Sequence, residues 1–393
     1  MKASLSLADR MTDLGTETAF EVLARAEQLA REGRDIINLG IGQPDFKTPQ
    51  NIVAAGSQAL VDGHHGYTPA IGIPALREAV ADDIAARRGV TVDPNHILIV
   101  PGGKPTMFFS CLMVGEAGAE IMYPNPGFPI YESAIRFSGA TPVPIPLLED
   151  TGFSFDPDDL LSRITPNTRL IILNSPANPT GGIISTDALD TLVKGLAAHP
   201  HVCILSDEIY SRMVYDNQPH VSLLGYEEIR DRLILLDGWS KTYAMTGWRL
   251  GYSLWPAQLI DLAVKLCVND HSCVNAATQY AGIEALRGPQ DAVDDMMVAF
   301  DERRRVIVDE LNDIPGVNCV MPGGAFYVFA NITGTGQNAK DLQSRLLEDA
   351  GVAAVAGTSF GEYGEGFIRF SYANSTENIQ EAMRRFRDLL ATS

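Results

Sequence analysis

The chain has 393 residues, 46% of them hydrophobic and 20% charged, with a formal net charge of -19 from 49 acidic against 30 basic side chains. That length allows two domains or one large domain with an appendage, and the composition excludes a disordered chain. The acidic surplus argues against nucleic acid or an anionic membrane as partner, so an anionic ligand must be held by local cations and aimed backbone N–H groups.

The opening stretch, MKASLSLADRMTDLG, lacks the apolar run and cleavage site of a signal peptide. No run of about 18 apolar residues follows to span a bilayer, so a cytoplasmic location and no membrane partner are expected. Gly40, Ile41 and Gly42 resemble the start of a dinucleotide fingerprint, but Pro44 and Asp45 stand where a glycine and a helix should come.

From about residue 95 to 255 short continuous apolar runs break into glycine, proline or polar residues. HILIV precedes PGGK, AEIMY precedes PNPGF, RLIIL precedes NSPANPTGG, HVCIL precedes SDEIY, and RLILL precedes DGWSK. Such runs predict strands covered on both faces. Between them lie helical signals, as where Ser185, Thr186 and Asp187 offer caps before ALDTLVKGLAAH. Alternating strands and helices predict an α/β domain with a mostly parallel central sheet flanked by helices, whose ligand lies beyond five successive strand ends. From about residue 290 the pattern changes to a charged helix around DERRRVIVDEL, strands in GGAFYVFANI and FIRFSYA, and a closing helix, TENIQEAMRRFRDLL. These predict a smaller α+β domain. The expected division is a large domain over 46–289 and a small domain from 1–45 and 290–393.

Other features predict nothing catalytic. Gly357, Ser359 and Gly361 fit a G-x-S-x-G elbow, but a strand follows where a helix is needed and no histidine lies beyond His271. His199 and His201 have no carboxylate or cysteine cluster at ligand spacing, so no metal is expected. The five cysteines, at 111, 203, 267, 273 and 319, contain no C-x-x-C pair and read as buried, reduced packing residues.

The strand ends carry the chemistry. Gly102 and Gly103 allow close backbone approach at the start of a helix, where free N–H groups favour a phosphate. Asp207, ending the HVCIL strand, would need a positive partner in an apolar cleft, such as a protonated pyridine nitrogen, unless it merely caps a helix. Tyr210 lies three residues on and could reach the same ligand. Lys241, among Trp239, Tyr243, Met245 and Trp248, suits imine formation with an aldehyde if desolvated, and Arg249 offers a cation for phosphate. Together these groups describe one ligand with an aldehyde, a basic ring nitrogen and a phosphate.

The motifs INLGIGQPDF, YTPAIGIPALREAV, PGGK, YPNPGFPIY, NSPANPTG, SDEIY, SKTYAMTGWRLGY and FIRFSYA stand in an order that resembles the class I/II aminotransferases of the aspartate-aminotransferase-like superfamily, pyridoxal 5′-phosphate fold type I, over nearly the whole chain. The resemblance implies transfer of an amino group between an L-amino acid and a 2-oxo acid by ping-pong half-reactions, with glutamate or alanine as the shared partner. A lyase of the C–S or β-elimination type is the alternative on the same frame.

By the same resemblance Lys241 holds pyridoxal phosphate as a Schiff base and shuttles the substrate proton. Asp207 pairs with the ring nitrogen, Tyr210 and Asn178 bond the phenolic oxygen, and Phe128 stacks on the ring. Gly103 and Lys104, through their backbone N–H groups, and Arg249 hold the phosphate, with Ser240 as substitute where Gly238 replaces a common serine. Tyr67 reaches the phosphate of a neighbouring subunit, implying a homodimer with shared sites. Arg369, Gly42 and Asn178 bind the substrate. The lid-like residues 12–20 include Glu17 and no Lys or Arg, so a lid cation for a dicarboxylate is not evident.

Overall fold

The protein is described by a computed structural model over residues 5–391, so the first four and last two residues of the expected small domain lie outside the described residues. The strands are β1 (Ile37–Asn38), β2 (Ile97–Val100), β3 (Glu120–Asn125), β4 (Thr141–Pro146), β5 (Thr168–Asn174), β6 (Cys203–Asp207), β7 (Leu233–Gly238), β8 (Gly251–Leu254), β9 (Tyr327–Asn331), β10 (Val352–Ala353), β11 (Val355–Ala356) and β12 (Phe367–Ser371). Seven form one sheet in the order β2-β8-β7-β6-β5-β3-β4. Only β8 runs against the rest, since both its pairings are antiparallel.

The continuous apolar runs have the expected cause. In β5, Leu170 and Ile172 join the apolar cluster on one side of the sheet, while Ile171 and Leu173 join the other. In β2, Leu98 and Val100 are divided from Ile97 and Ile99 in the same way. Each such side chain, buried on either face, contributes about 1.5–3 kcal/mol of hydrophobic stabilisation relative to exposure.

Two strands of the seven-stranded sheet escaped the pattern, as did the two-residue β1, β10 and β11. β8 reads GYSL, too polar to stand out. β4 reads TPVPIP and lies at the sheet's edge. The amides of Thr141 and Leu147 donate inward, to the carbonyls of Ala119 and Asn125 along β3. By the two-residue period of a strand, Pro142, Pro144 and Pro146 direct their missing donors outward, the arrangement in which a strand tolerates proline.

The first five helices are α1 (Thr18–Arg31), α2 (Gln50–Val61), α3 (Pro74–Arg88), α4 (Lys104–Val114) and α5 (Ile130–Ser138). After α6 (Pro157–Ser162) comes α7 (Thr186–Leu196), whose predicted cap holds: the Ser185 hydroxyl accepts from the Ala188 amide at 3.2 Å. Then follow α8 (Ile260–Asp270), α9 (Ala276–Arg287), α10 (Asp291–Asn312), α11 (Ala339–Glu348) and α12 (Thr376–Ala391). A three-stranded antiparallel sheet, β11-β12-β9, lies in the C-terminal part, and β1 from the N-terminal segment pairs with β10. Among the described residues no helix is long and apolar enough to cross a membrane.

The G-x-S-x-G stretch is a short 3-10 turn, Gly357–Phe360, leading toward β12. Four cysteines are buried, whereas Cys273 is only partly so, a small departure from expectation; all five are free.

Candidate active site

A cavity of about 440 Å³ opens beyond the carboxyl ends of β2, β3, β5, β6 and β7, and receives Gly103, Phe128, Asn178, Asp207 and Lys241 from just past those ends. Gly42, Lys104, Tyr210, Ser240, Arg249 and Arg369 also line it. Thus all but one of the predicted site residues face one space. Tyr67 does not line it and is 95% exposed. A larger cleft near Gln337 and Arg387 holds none of them.

Asp207 is buried at the end of β6. A turn rather than a helix follows, so helix capping is not its role. One carboxylate oxygen accepts from the Tyr131 hydroxyl at 2.6 Å and the other from the Ile209 amide at 3.2 Å. Burial raises the carboxyl to about 6 despite these bonds. It is an anion placed where a cationic partner would offset its desolvation.

Behind it Arg88, at the end of α3, bonds Glu208 at 3.0 Å and Asp237 at 2.6 Å. Although burial opposes ionisation of Glu208, Arg88 and His220 together bring its carboxyl down to about 2. The buried network ties the ends of β6 and β7, the two strands that deliver Asp207 and Lys241.

The Lys241 ammonium donates to the Gly42 carbonyl at 2.6 Å. Its pKa falls to about 8, chiefly through burial, with Arg369 and Arg249 adding to the effect. Within the same block Ala244 (φ 50°) and Arg249 (φ 56°) hold left-handed backbone, strain of the kind that clusters at working sites. Arg249 bonds the carbonyls of Thr246 at 2.6 Å and Pro101 at 3.2 Å.

Close packing explains two glycines. A Cβ on Gly102, whose φ is +82°, would lie 2.1 Å from the Arg249 Nη2. Gly102→Ala is therefore expected to cost about 1–2 kcal/mol from the backbone alone, read as a lower denaturation midpoint. A Cβ on Gly238 would lie 2.9 Å from the Gly251 Cα, so the approach of β8 to β7 keeps a serine out of that position. Ser240 is buried at the cavity wall instead.

Arg369, on β12, is buried and donates to the Asn178 side chain at 2.9 Å and the Gly40 carbonyl at 2.5 Å. Its guanidinium carbon lies 4.7 Å from the ring centres of both Tyr327 and Phe360, and its Nε has no hydrogen-bond partner among the described residues. Burial lowers its pKa. A planar anion would complete its bonding.

Three contacts were not anticipated. Tyr131, inside PNPGFPIY, contacts Asp207, while Tyr327 bonds the Tyr210 hydroxyl at 2.8 Å. Glu17 forms an ion pair with Lys104. The first two carried the signal of a tyrosine amid apolar neighbours at a strand or turn; the third spans 87 residues and carried none.

The sequence model of the aminotransferase class I and II family matches residues 34–386. An aspartate aminotransferase of Pyrococcus horikoshii is 38% identical over 391 residues, covering 99% of this chain and 98% of that protein. An aromatic-amino-acid aminotransferase of Thermococcus litoralis is 36% identical, covering 98% of each. The crystal structure of the aspartate aminotransferase from Rhizobium meliloti superposes with a TM-score of 0.93 at 33% identity, covering 99% of each chain. The chain belongs to the class I and II aminotransferases, and its α/β fold is theirs.

It is accordingly a transaminase that uses pyridoxal phosphate. The cavity suits that cofactor on its own terms, with an amine of lowered pKa, a buried carboxylate that has no ion-pair partner among the described residues, and a glycine cradle beside Arg249 at the start of α4.

Proposed function

We propose the following division of labour for amino-group transfer between an L-amino acid and a 2-oxo acid. Bound pyridoxal phosphate supplies the electron sink that weakens the substrate's Cα–H bond. Lys241 attaches the cofactor, then carries the proton between the substrate Cα and the cofactor C4′. Asp207 keeps the ring nitrogen protonated, oriented by Tyr131. Tyr210 and Asn178 bond the phenolic oxygen, and Phe128 covers the ring. Gly103, Lys104, Ser240 and Arg249 hold the phosphate. Arg369, with Asn178 and the Gly42 backbone, grips the substrate α-carboxylate.

The observation that carries this reading is the convergence of Lys241, Asp207 and Arg369 on one cavity. The test is a half-reaction screen, in which the loaded enzyme converts amino acids to 2-oxo acids mole for mole. Release of ammonia with pyruvate from such substrates, and no amino transfer, would mark a lyase. Arg369→Lys is expected to lower kcat/KM about a hundredfold, because an ammonium does not reproduce the fork. The loss should be alike for alanine, aspartate and phenylalanine, which share the α-carboxylate.

We also assign residues 46–289 to a large domain and 1–45 with 290–393 to a small one, supported by the pairing of β1 with β10. Closure of the small domain on substrate would carry Arg369 and exclude water. A homodimer with shared sites is supported by the exposure of three large apolar side chains in one short stretch, Leu60 and Val61 at the end of α2 and Tyr67 shortly after it. Five free cysteines suit a reducing compartment, and we place the enzyme in the cytoplasm. Relatives named for aspartate and for aromatic amino acids are of similar identity, 38% and 36%, so kinship leaves the side-chain preference open.

A further inference from the structure

The cavity is lined by four cations. In the reading above Lys241 serves the cofactor and proton transfer, Arg249 the phosphate, and Arg369 the α-carboxylate; the inference here rests on those assignments. The Lys104 ammonium is the one left for a substrate side chain, since only its backbone is assigned to the phosphate.

That ammonium is engaged. Glu17 forms an ion pair with it, and the carboxylate is the more sheltered partner, with 15% side-chain exposure against 43% for the lysine. Glu17 stands at the N-cap of α1 yet makes no capping bond, so its carboxylate is committed to the cavity rather than to its own helix. The ammonium lies 5.7 Å from the ring centres of both Phe20 and Phe128, which makes the surroundings of the pair aromatic. The Glu17 charge is also felt at Lys241 and Arg369, within electrostatic reach of where substrate would bind.

We propose that Glu17 selects the substrate side chain: by holding Lys104 in an ion pair it withholds the cation that a second carboxylate needs, and it favours neutral, apolar side chains over those of aspartate and glutamate. A dicarboxylate entering this end must displace Glu17 from Lys104 and then lie beside the displaced charge. A phenyl or branched aliphatic group meets a neutral pair and can pack on Phe20 and Phe128. The preference is thus produced partly by repulsion of the disfavoured substrate.

The experiment measures half-reaction kcat/KM for aspartate and phenylalanine with the loaded wild-type enzyme, Glu17→Gln, Glu17→Ser and the double variant Glu17→Gln/Lys104→Met. Both single variants should raise the aspartate-to-phenylalanine ratio, by on the order of tenfold, as an attractive ammonium is uncovered. The double variant should lose most of that gain, keeping only the part due to lifted repulsion. An unchanged ratio in both single variants, or a gain that survives loss of the ammonium in full, overturns the proposal. Parallel changes for the two amino acids also overturn it, since they would mark Glu17 as a lid contact only. Failure of the underlying reading looks different: the wild-type enzyme would transaminate neither substrate, or Arg369→Lys would spare both.

Discussion

Lys241→Ala is expected to lower kcat by roughly a hundred- to ten-thousandfold, the range spanned by a positioned general base. The same change removes the amine that attaches the cofactor, so borohydride should no longer fix pyridoxal phosphate to the chain. Added methylamine should restore part of the rate in the variant and none in the wild type, because only the variant lacks a proton carrier. Full activity in Lys241→Ala would remove the residue from the mechanism. Since burial and two neighbouring guanidinium groups bring the wild-type ammonium down to about 8, uptake of cofactor by the apoprotein should quicken as pH rises through that value.

The second large effect belongs to Asp207. Asp207→Asn keeps the shape of the Tyr131 contact and removes the charge, and is expected to lower kcat/KM about a hundred- to a thousandfold, as loss of an aimed electrostatic partner does. The apoprotein offers a separate check. The carboxyl is raised from 3.8 to about 6, chiefly by burial, so between those values the folded state holds a proton that the unfolded chain has lost. Its contribution is fully present below about pH 4 and disappears as pH rises through about 6, amounting to about 3 kcal/mol. Denaturation midpoints of the apoprotein across this window should fall relative to those of Asp207→Asn. Loading the cofactor should abolish the fall, because a protonated ring nitrogen stabilises the carboxylate. A wild-type profile parallel to that of Asp207→Asn would show that the group is not held proton-bound.

Much of this site was legible because the chain concentrates it at strand ends. A buried parallel strand announces itself as an apolar run, and the glycine, aspartate or lysine that stops the run must lie at the mouth of the sheet. Asp207 and Lys241 are found in this way, from local sequence and the geometry of α/β sheets. The antiparallel β8 was hidden by its glycine, tyrosine and serine, and β4 by prolines that only an edge position makes tolerable.

The remaining misses are pairings between distant residues. Arg88 reads as a charged residue at a helix end, yet its guanidinium is buried against Glu208 and Asp237. Glu17 stands in a lid-like segment without Lys or Arg, which described the segment but not its partner. Single-residue character is encoded locally, whereas the choice of an ion-pair partner 87 or 120 positions away is made by the fold.

The prolines of β4 also limit how the molecule can associate. A strand edge recruits another chain by offering a row of amide donors, and here the outward-facing positions, every second residue of the strand, are prolines that have none. That side of the sheet cannot be extended by a neighbour's strand, so growth into an open, sheet-continued filament is blocked at this end. A dimer contact at this edge must therefore form through side-chain packing rather than through strand pairing.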